Sequence, residues 1–218
     1  QRETLRKQRR KNEVPVVSIV GYTNAGKSTI MNQLLMKTGQ LDSKQVFEKD
    51  MLFATLDTSV RNIELEDNKS FLLTDTVGFV SKLPHHLVKA FRSTLEEARE
   101  ADLLLHVVDV SHEEYKFMMD VTNETLKDVG VEEIPTLYVY NKSDLADVQY
   151  PLVSGDNIWI AAKEGVGLDE LLQLIRSQIF VDYVTCKMLI PYDQGAVVSY
   201  LNKAATIQAT EYEEQGTL

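Results

Sequence analysis

The sequence is poor in the residues that make disulfides and poor in long apolar runs. Its 218 residues include one cysteine, Cys186, so no internal disulfide can form, which fits a reducing cytoplasm. No apolar run approaches the roughly 20 residues that a helix needs to cross a bilayer, so we expect no integral membrane segment and at most peripheral membrane association. The start, "QRETLRKQRRK", has no Met and no apolar core, so we expect a piece of a longer protein and no signal peptide.

The net charge of −10 is unevenly distributed. Residues 1–11 hold six basic residues and one acidic residue, a net +5, which leaves 17 basic against 32 acidic residues, or −15, for the remainder. An acidic body argues against wrapping of nucleic acid by the whole chain. The basic segment predicts either a local contact with phosphates, such as those of RNA, or an ordinary solvated helix face. We expect a monomer.

Apolar strands alternate with helical patterns along most of the chain. The predicted strands are "VPVVSIVG", "FLLTD", "DLLLHVVDV", "IPTLYVYN" and "NIWIAA", with a hairpin turning at Asp67-Asn68. Helices are predicted over residues 27–37, from Pro84 to Ala98, and over 168–179. The fold class is therefore α/β, with a mostly parallel, six-stranded sheet covered by helices on both faces. After Phe180 the pattern changes to a strand in "YVTCKMLIP", a helix in "AVVSYLNKAA" and a strand in "TIQATEYEEQG".

A phosphate-binding loop follows the first strand directly. The stretch "GYTNAGKST" (21–29) matches G-x-x-x-x-G-K-[ST] between a strand and a helix, the context that this motif requires. Lys27 is expected to reach the β- and γ-phosphates, and the Ser28 hydroxyl to ligate Mg²⁺. The nucleotide-binding residues predicted here are Gly21, Tyr22, Thr23, Asn24, Ala25, Gly26, Lys27, Ser28 and Thr29.

Two later loops predict a pocket for guanine. In "NKSD" (Asn141, Lys142, Ser143, Asp144) the Asp144 carboxylate can accept hydrogen bonds from guanine N1–H and its exocyclic amine, which adenine cannot offer. This disfavours the alternative of an ATPase. Asn141 is expected to brace the loop, and the Lys142 stem to cover the base. In "AAKEGVG", Ala161, Ala162 and Lys163 form the other wall, with the Ala162 N–H facing guanine O6.

Two further segments predict switch loops. Asp75 ends a strand in "TDTVGFV" and is expected to hold Mg²⁺ through water, and the N–H of Gly78, after Thr76 and Val77, to touch the γ-phosphate. The long loop before it offers Thr55, Thr58 and Ser59 as hydroxyl ligands of Mg²⁺, and spacing alone does not choose among them. Phe79 occupies the position of a water-orienting Gln and has no hydrogen-bonding group.

These motifs together resemble the translation-factor class of GTPases, and more narrowly the HflX family. The resemblance rests on "VGYTNAGKSTIMNQL", "LFATLD", "TDTVGFVSKLPHHLVKAFRSTLEEAREADLLLHVVDVS" and "YNKSDL". It implies a P-loop NTPase three-layer G domain over residues 14–180, the end of a helical linker at 1–13, and the start of a small α+β C-terminal domain at 181–218. It also selects Thr55 as the Mg²⁺ ligand, with Phe53, Ala54, Leu56 and Asp57 beside the nucleotide. The chain departs from the family at Thr58, where Pro is common, and at Ala161, where Ser is usual.

The resemblance implies a GTPase that binds GTP and GDP, associates with the large ribosomal subunit, and splits or rescues ribosomes under stress. A hydrophobic residue in the place of Phe79 is common in this class, so we expect slow intrinsic hydrolysis and activation by a partner. His85 and His86 are disfavoured as replacements for the missing Gln. Asn24 either ligates K⁺, as in some related GTPases, or bonds its own loop. The alternative function is a nucleotide-gated binding module for a non-ribosomal partner, such as a membrane protease or an RNA helicase.

Overall fold

The structure is a computed structural model that describes residues 14–39, 59–65, 67, 69–75, 98–131, 133–181 and 184–218. Its main body is a seven-stranded sheet. The strands are β1 Val16–Gly21, β2 Ser59–Glu64, β3 Ser70–Asp75, β4 Leu103–Asp109, β5 Thr136–Asn141, β6 Leu152–Ser154 and β7 Asn157–Trp159. Their order across the sheet is β2-β3-β1-β4-β5-β7-β6, with β2 and β6 antiparallel at the two edges and the others parallel.

The predicted fold class is confirmed, and the predicted strand number is one too low. The additional strand, β6, is three residues long, exposed along its length, and paired only with β7. The sequence "PLVSGDN" around it contains a Gly-containing turn and no apolar run, so it carries no strand signal of its own. The hairpin predicted near Asp67 is confirmed, because β2 and β3 pair antiparallel from Ser59↔Asp75 to Glu64↔Ser70.

Apolar side chains cover both faces of the sheet. The helices are α1 Lys27–Lys37, α2 Tyr115–Asp128, α3 Leu168–Ile179 and α4 Gly195–Ala204. On one face Ile30 and Leu34 of α1 pack in the same core as Leu171 and Ile175 of α3. On the other face Leu126 of α2 packs in a second cluster. Burial on both faces explains the nearly continuous apolar runs of β1 and β4, whereas β3 and β5 alternate between buried and half-buried residues.

The helix predictions have mixed outcomes. Helices α1 and α3 are confirmed at the predicted residues, and α4 coincides with "AVVSYLNKAA". Helix α2 was not predicted, and only Thr122 and Leu126 of its residues are buried. The helix predicted from Pro84 lies outside the described residues except for Ala98, which is helical and buried.

The segment after residue 180 differs from the expected alternation of long strands. Residues 184–189 of "YVTCKMLIP" form no strand, and Ile190 makes only an isolated bridge with Thr217. The strand predicted in "TIQATEYEEQG" is reduced to β8 Tyr212–Glu213, paired with β9 Gly216–Thr217. A pair of strands without further strands beside it is only marginally stable, so short strands are expected here. None of the helices in the described part of the chain has the length and apolar character needed to cross a membrane.

Candidate functional site

The residues predicted to bind nucleotide gather at one edge of the sheet. Strands β3, β1, β4 and β5 are neighbours and parallel, so their carboxyl ends meet at the same edge. The last residues of these strands are Asp75, Gly21, Asp109 and Asn141, respectively. Open α/β sheets bind ligands at this edge, next to the point where the strand order reverses. Here that point lies at β1, which has β3 on one side in the sheet and β4 on the other.

Two glycines of the phosphate loop are required because other segments of the same chain approach them closely. Gly26 has a φ of 95°, and a Cβ at this residue would lie 2.2 Å from Asn141 Nδ2. Gly21 has a φ of 147°, and a Cβ there would lie 2.2 Å from the carbonyl oxygen of Val107 on β4. No side chain fits at either residue, so packing requires these two glycines in addition to any contact with phosphate.

Lys27 is the first residue of α1 and is buried, with 8% of its surface exposed. Its Nζ donates a hydrogen bond to the carbonyl oxygen of Tyr22, 3.0 Å away. Burial lowers the pKa of Lys27 from 10.5 to about 8, although the nearby Asp75 carboxylate acts in the opposite direction. A cation with so little water around it is expected to bind a phosphate anion strongly, since the anion replaces solvation that burial has removed.

The other phosphate-loop residues surround this lysine. Tyr22 and Thr23 are half-buried, Ala25 is buried, and Thr29 lies half-buried in α1. Asn24 is exposed and has a φ of 62°, the left-handed region that favours short polar residues and glycine. Its conformation turns the loop back over the start of α1, with the Ala25 N–H donating to Tyr22 O at 3.3 Å.

Ser28 and Asp75 form the part of the site that fits Mg²⁺. The Ser28 hydroxyl donates to Asp75 Oδ2 at 2.9 Å, and Asp75 is 2% exposed. A hydroxyl and a carboxylate are the hard oxygen ligands that Mg²⁺ uses in nucleotide sites, where phosphates and waters complete its shell. No cluster of three or more His, Cys, Asp or Glu side chains occurs in the described ranges, and such a cluster is not needed for this kind of site. When bound, Mg²⁺ would neutralise charge on the phosphates.

Asn141 connects the phosphate loop to the two base loops. It is 3% exposed at the end of β5. Its Nδ2 donates to the carbonyl oxygen of Ala25 at 2.9 Å, and its Oδ1 accepts from the N–H of Ala162 at 3.0 Å. One side chain therefore satisfies two buried backbone groups that lie 116 and 21 residues away in the sequence, and it fixes their separation.

The Ala162 N–H, for which the sequence predicts a contact with guanine, has a protein partner in the structure, and the contact with guanine stays a prediction. We expected it to face guanine O6, but in the structure it donates to Asn141 Oδ1. The reason is that Asn141 lies directly against the loop of Ala161 and Ala162, both of which are fully buried. Lys163 is exposed at this loop. The loop itself is closed by mutual hydrogen bonds between the backbones of Ala161 and Val166.

The "NKSD" loop holds an unusual backbone conformation. Lys142 has a φ of 61°, one of two non-glycine residues with positive φ in the described part of the chain. Ser143 is buried, its N–H donates to Ile160 O at 3.1 Å, and its hydroxyl donates to Tyr140 O at 3.1 Å. These bonds stabilise the turn over Ser143–Leu145 that presents the half-buried Asp144.

Several predicted site residues lie outside the described residues. They belong to the two switch loops and their neighbours: Phe53, Ala54, Thr55, Leu56, Asp57, Thr58, Thr76, Val77, Gly78, Phe79, His85 and His86. Ser59 begins β2. The basic segment within residues 1–13 also lies outside. The roles assigned to these residues stay predictions.

The structure adds residues that the sequence analysis did not single out. Asp109 Oδ2 accepts a hydrogen bond from Lys142 Nζ at 2.6 Å, and Asp109 Oδ1 accepts from the Ser111 hydroxyl at 2.6 Å. The available signal was "DVS" after a predicted strand, because an Asp followed two residues later by Ser is typical of a turn closed by the Asp side chain. Applying the strand-end rule to this strand as well would have included Asp109 in the site.

A buried histidine lies behind the phosphate loop. His106 on β4 is 1% exposed, and its ring centroid is 5.3 Å from that of Tyr138. Burial lowers the pKa of His106 from 6.5 to about 4, while a hydrogen bond with Asn123 raises it and the charge of Lys27 lowers it. His106 is therefore neutral at pH 7. It lines a cavity of about 190 Å³ together with Tyr22, Thr23 and Asn24 of the phosphate loop.

Known proteins match this chain over most of its length. A family model described as "50S ribosome-binding GTPase" matches residues 16–142. The chain is 43% identical over 217 residues to GTPase HflX of Caldanaerobacter subterraneus subsp. tengcongensis, covering 99% of this chain and 48% of that protein. It is 37% identical over 224 residues to GTPase HflX of Escherichia coli, covering 100% and 51%, respectively. The chain thus spans about half the length of these relatives.

Solved structures with the same fold include nucleotide-bound GTPases. A GTP-binding protein from Sulfolobus solfataricus in complex with GDP is similar with a TM-score of 0.60 and 26% identity, covering 84% of this chain and 58% of that one. Aquifex aeolicus Era bound to GDP·AlF4⁻ is similar in fold with a TM-score of 0.60, 23% identity, and coverage of 83% and 60%. With the phosphate loop, the braced base loops and these matches together, the chain belongs to the HflX family of P-loop GTPases.

Proposed function

We propose that this chain is the GTP-binding and GTP-hydrolysing part of an HflX-type protein, which uses Mg²⁺ and associates with the large ribosomal subunit in a nucleotide-dependent way. The observation that carries the proposal is the Asn141 brace, with its bonds of 2.9 Å to Ala25 O and 3.0 Å from the Ala162 N–H. It holds the phosphate loop and the base loops at a fixed separation. A nucleotide that bridges the two loops meets a site that is already formed, which favours binding.

Guanine is the base that this pocket is proposed to select, and the Lys142 stem is proposed to cover it. The turn over Ser143–Leu145 holds Asp144 half-buried, and a carboxylate there can pair with the two donors on the guanine edge. Adenine presents no such donor pair and would leave the carboxylate unpaired when the base covers it. Competition of a GDP probe by ATP at equal concentration would contradict this choice of base.

Slow hydrolysis is proposed because the site stabilises charge but offers little to orient water. Lys27 and the Ser28–Asp75 pair lie where they can meet phosphates and Mg²⁺. The water-orienting position in the sequence is Phe79, whose side chain has no hydrogen-bonding atom. We therefore propose that a partner completes the site by ordering the switch loops around Thr55 and Gly78.

The large ribosomal subunit is the proposed partner. Support comes from the description of the matching family model and from the similarity to HflX proteins, whose chains are about twice as long. The six basic residues within 1–11 are proposed to contact ribosomal RNA phosphates. Ribosome splitting or rescue under stress, a cytoplasmic location and a monomeric state belong to the same proposal.

The test is single-turnover hydrolysis of GTP with and without purified large subunits. Reactions contain K⁺ and Mg²⁺, with small subunits as the matched control and the full-length protein alongside this chain. Acceleration by large subunits alone supports the proposal. Fast hydrolysis without subunits would mean that some residue of this chain already positions the water. Bound GTP with slow hydrolysis in every reaction would favour a nucleotide-gated binding module for a non-ribosomal partner instead.

Potassium is a finer part of the proposal. Asn24 occupies the loop position from which an amide oxygen can ligate a cation beside the phosphates, and it is exposed there, with a φ of 62°. A K⁺ ion there would add positive charge without an arginine finger. Equal hydrolysis rates in Na⁺ and K⁺ at the same ionic strength would remove this assignment.

A further inference from the structure

Asp109 and Lys142 form an ion pair across two neighbouring strand ends. Asp109 closes β4 and Lys142 follows β5 directly, with Asp109 in register with Asn141. Lys142 Nζ lies 2.6 Å from Asp109 Oδ2, and the two side chains are 32% and 17% exposed, respectively. The lysine that covers guanine in the proposed function is thus already tethered at its far end.

The Asp109 carboxylate is itself fixed by its own turn. Its Oδ1 accepts hydrogen bonds from the Ser111 backbone N–H at 3.1 Å and from the Ser111 hydroxyl at 2.6 Å. One oxygen is therefore held by the turn, and the other is directed to Lys142. A carboxylate whose rotation is restrained in this way holds its partner more narrowly than a freely rotating surface acid does.

Lys142 has a backbone conformation that needs such support. A φ of 61° is unfavourable for a residue with a Cβ, and such residues persist where their surroundings hold them. The free lysine stem also has many rotamers, and ordering it costs free energy. The pair with Asp109 restrains the rotamers of the stem before any nucleotide binds, because it holds the Nζ end of the side chain. The backbone is held by the Leu145 N–H, which donates to Lys142 O at 3.0 Å.

We propose that Asp109 is a positioning residue for nucleotide binding, which holds the Lys142 stem in place at the base pocket and so strengthens the binding of guanine nucleotides. This inference rests on the proposed function, in which the Lys142 stem covers guanine. Asp109 does not touch the nucleotide. Its effect is pre-organisation. The lysine is already ordered in the free protein, so its ordering does not lower the free energy gained on binding.

The substitution Asp109→Asn tests this proposal most cleanly. Asparagine keeps an oxygen that can accept from Ser111, but it loses the charge that attracts the Lys142 ammonium. We expect GDP and GTP to bind about tenfold more weakly, in equal measure because the base and not the phosphates is affected. Affinity is measured with a fluorescent GDP analogue and by competition, on nucleotide-free protein whose melting temperature is recorded first.

A double-mutant cycle separates positioning from a general structural role. If Asp109 acts through Lys142, the double variant D109N/K142A binds GDP no more weakly than Lys142→Ala alone, within about twofold. Losses that multiply would overturn the proposal, as would unchanged or tighter binding by Asp109→Asn. The matched control is Asp67→Asn, because Asp67 is also 17% exposed and paired, to Arg176, but lies in the hairpin turn at the opposite end of β3. It should leave GDP affinity unchanged.

Nucleotide binding by the wild-type chain distinguishes a failure of the proposed function from a failure of the role of Asp109. Failure of the wild-type chain to bind guanine nucleotides would contradict the proposed function and, with it, this inference. Normal binding by wild type together with multiplying losses in the cycle would remove only the role of Asp109.

Discussion

Two regions of the molecule keep their shape by different means. At the nucleotide edge, buried side chains bond to backbone groups far away in the sequence, as Asn141 does with Ala25 and Ala162. In the C-terminal segment, residues 184–218, helix α4 has no buried residue, and β8 and β9 are two residues each. The first region is fixed by bonds between buried groups, and the second mostly by bonds between exposed or half-buried groups.

The apolar residues of the C-terminal segment sharpen this contrast. Val184 is 85% exposed, Tyr212 is 77% exposed and Tyr200 is 67% exposed, so these side chains contribute little to a core. Within the described residues, the segment is fixed by the Ile190–Thr217 bridge, by the paired backbones of Glu211 and Leu218, and by the hydrogen bond from the Tyr192 hydroxyl to Glu213 O at 2.7 Å. The hydrogen bond from the Thr206 hydroxyl to Asp67 O joins it to the β2–β3 hairpin. We therefore expect substitutions at the nucleotide edge to lower the stability of the whole domain, and substitutions in the segment to have only local effects.

The largest expected effect is that of Asn141→Ala. It leaves the buried Ala25 carbonyl and Ala162 N–H without their partner, so we expect a loss of about 3 kcal/mol in the free energy of unfolding. GDP binding should fall below detection, because the phosphate and base loops lose their fixed separation. Both are measured on purified protein, by urea denaturation and by titration with a fluorescent GDP analogue.

The matched control is Asn202→Ala in α4. Asn202 Nδ2 also donates to a backbone carbonyl, that of Val198 at 3.0 Å, but this bond is exposed and within one helix. We expect a change of less than about 0.5 kcal/mol and unaltered GDP binding. Equal losses of unfolding free energy in Asn141→Ala and Asn202→Ala would contradict the difference between the two regions.

Acid should affect the sheet through His106. Since burial lowers its pKa from 6.5 to about 4, the unfolded chain binds a proton between these values that the folded chain does not. Stability contributed by neutral His106 is therefore complete above about pH 6.5 and decreases as pH falls towards 4. From pH 7 to pH 5 we expect this residue to account for a loss of about 2 kcal/mol. Urea denaturation at the two pH values measures it.

A variant that cannot titrate isolates this contribution. His106→Gln keeps a polar side chain of similar length, and its stability should fall less than that of wild type between pH 7 and pH 5. An unchanged acid loss in His106→Gln would mean that other groups cause it.

The Asp67 side chain forms a junction between the β2–β3 hairpin and α3. Asp67 Oδ2 lies 2.5 Å from Arg176 Nη2 on α3 and 3.5 Å from Lys69 Nζ. Because the Arg176 side chain is 39% exposed, solvent screens the pair, and we expect Asp67→Ala to cost about 1 kcal/mol. Amide hydrogen exchange should rise in β2, β3 and residues 205–218, and GDP affinity should not change. Faster exchange in the phosphate loop would show that the junction and the nucleotide edge are coupled.

The sequence predicted the parts of this protein that rest on motif and on burial. The phosphate loop needs Gly26 for a φ of 95° and a close contact with Asn141, and β1 and β4 are buried along nearly their whole length, so both leave strong patterns. The Lys142–Asp109 pair left only the weak signal of "DVS", because it depends on the neighbouring positions of β4 and β5. Periodicity gives no information about which strand ends lie side by side.

The failures after residue 180 have another cause. Alternation in "YVTCKMLIP" predicts a strand only if a partner strand and a core are present, and residues 184–189 have neither within the described part of the chain. Helix α4 in the same segment was predicted correctly, since helical hydrogen bonds form within the element and need no partner. Local structure could thus be read from this sequence where strand pairing could not.

The smallest expected effect is that of Thr206→Val. Valine preserves the shape of the side chain and removes only the hydroxyl that donates to Asp67 O at 2.6 Å. An exposed bond of this kind contributes about 0.5–1 kcal/mol, so global stability should hardly change. Hydrogen exchange of residues 205–218 should nevertheless rise severalfold, because this bond joins the segment to the hairpin. The control is Thr125→Val, whose hydroxyl bonds to Val121 O within α2. The control should leave exchange in residues 205–218 unchanged. If Thr206→Val also leaves it unchanged, the segment is held by contacts other than Thr206, and its conformation follows from its own helix and bridge.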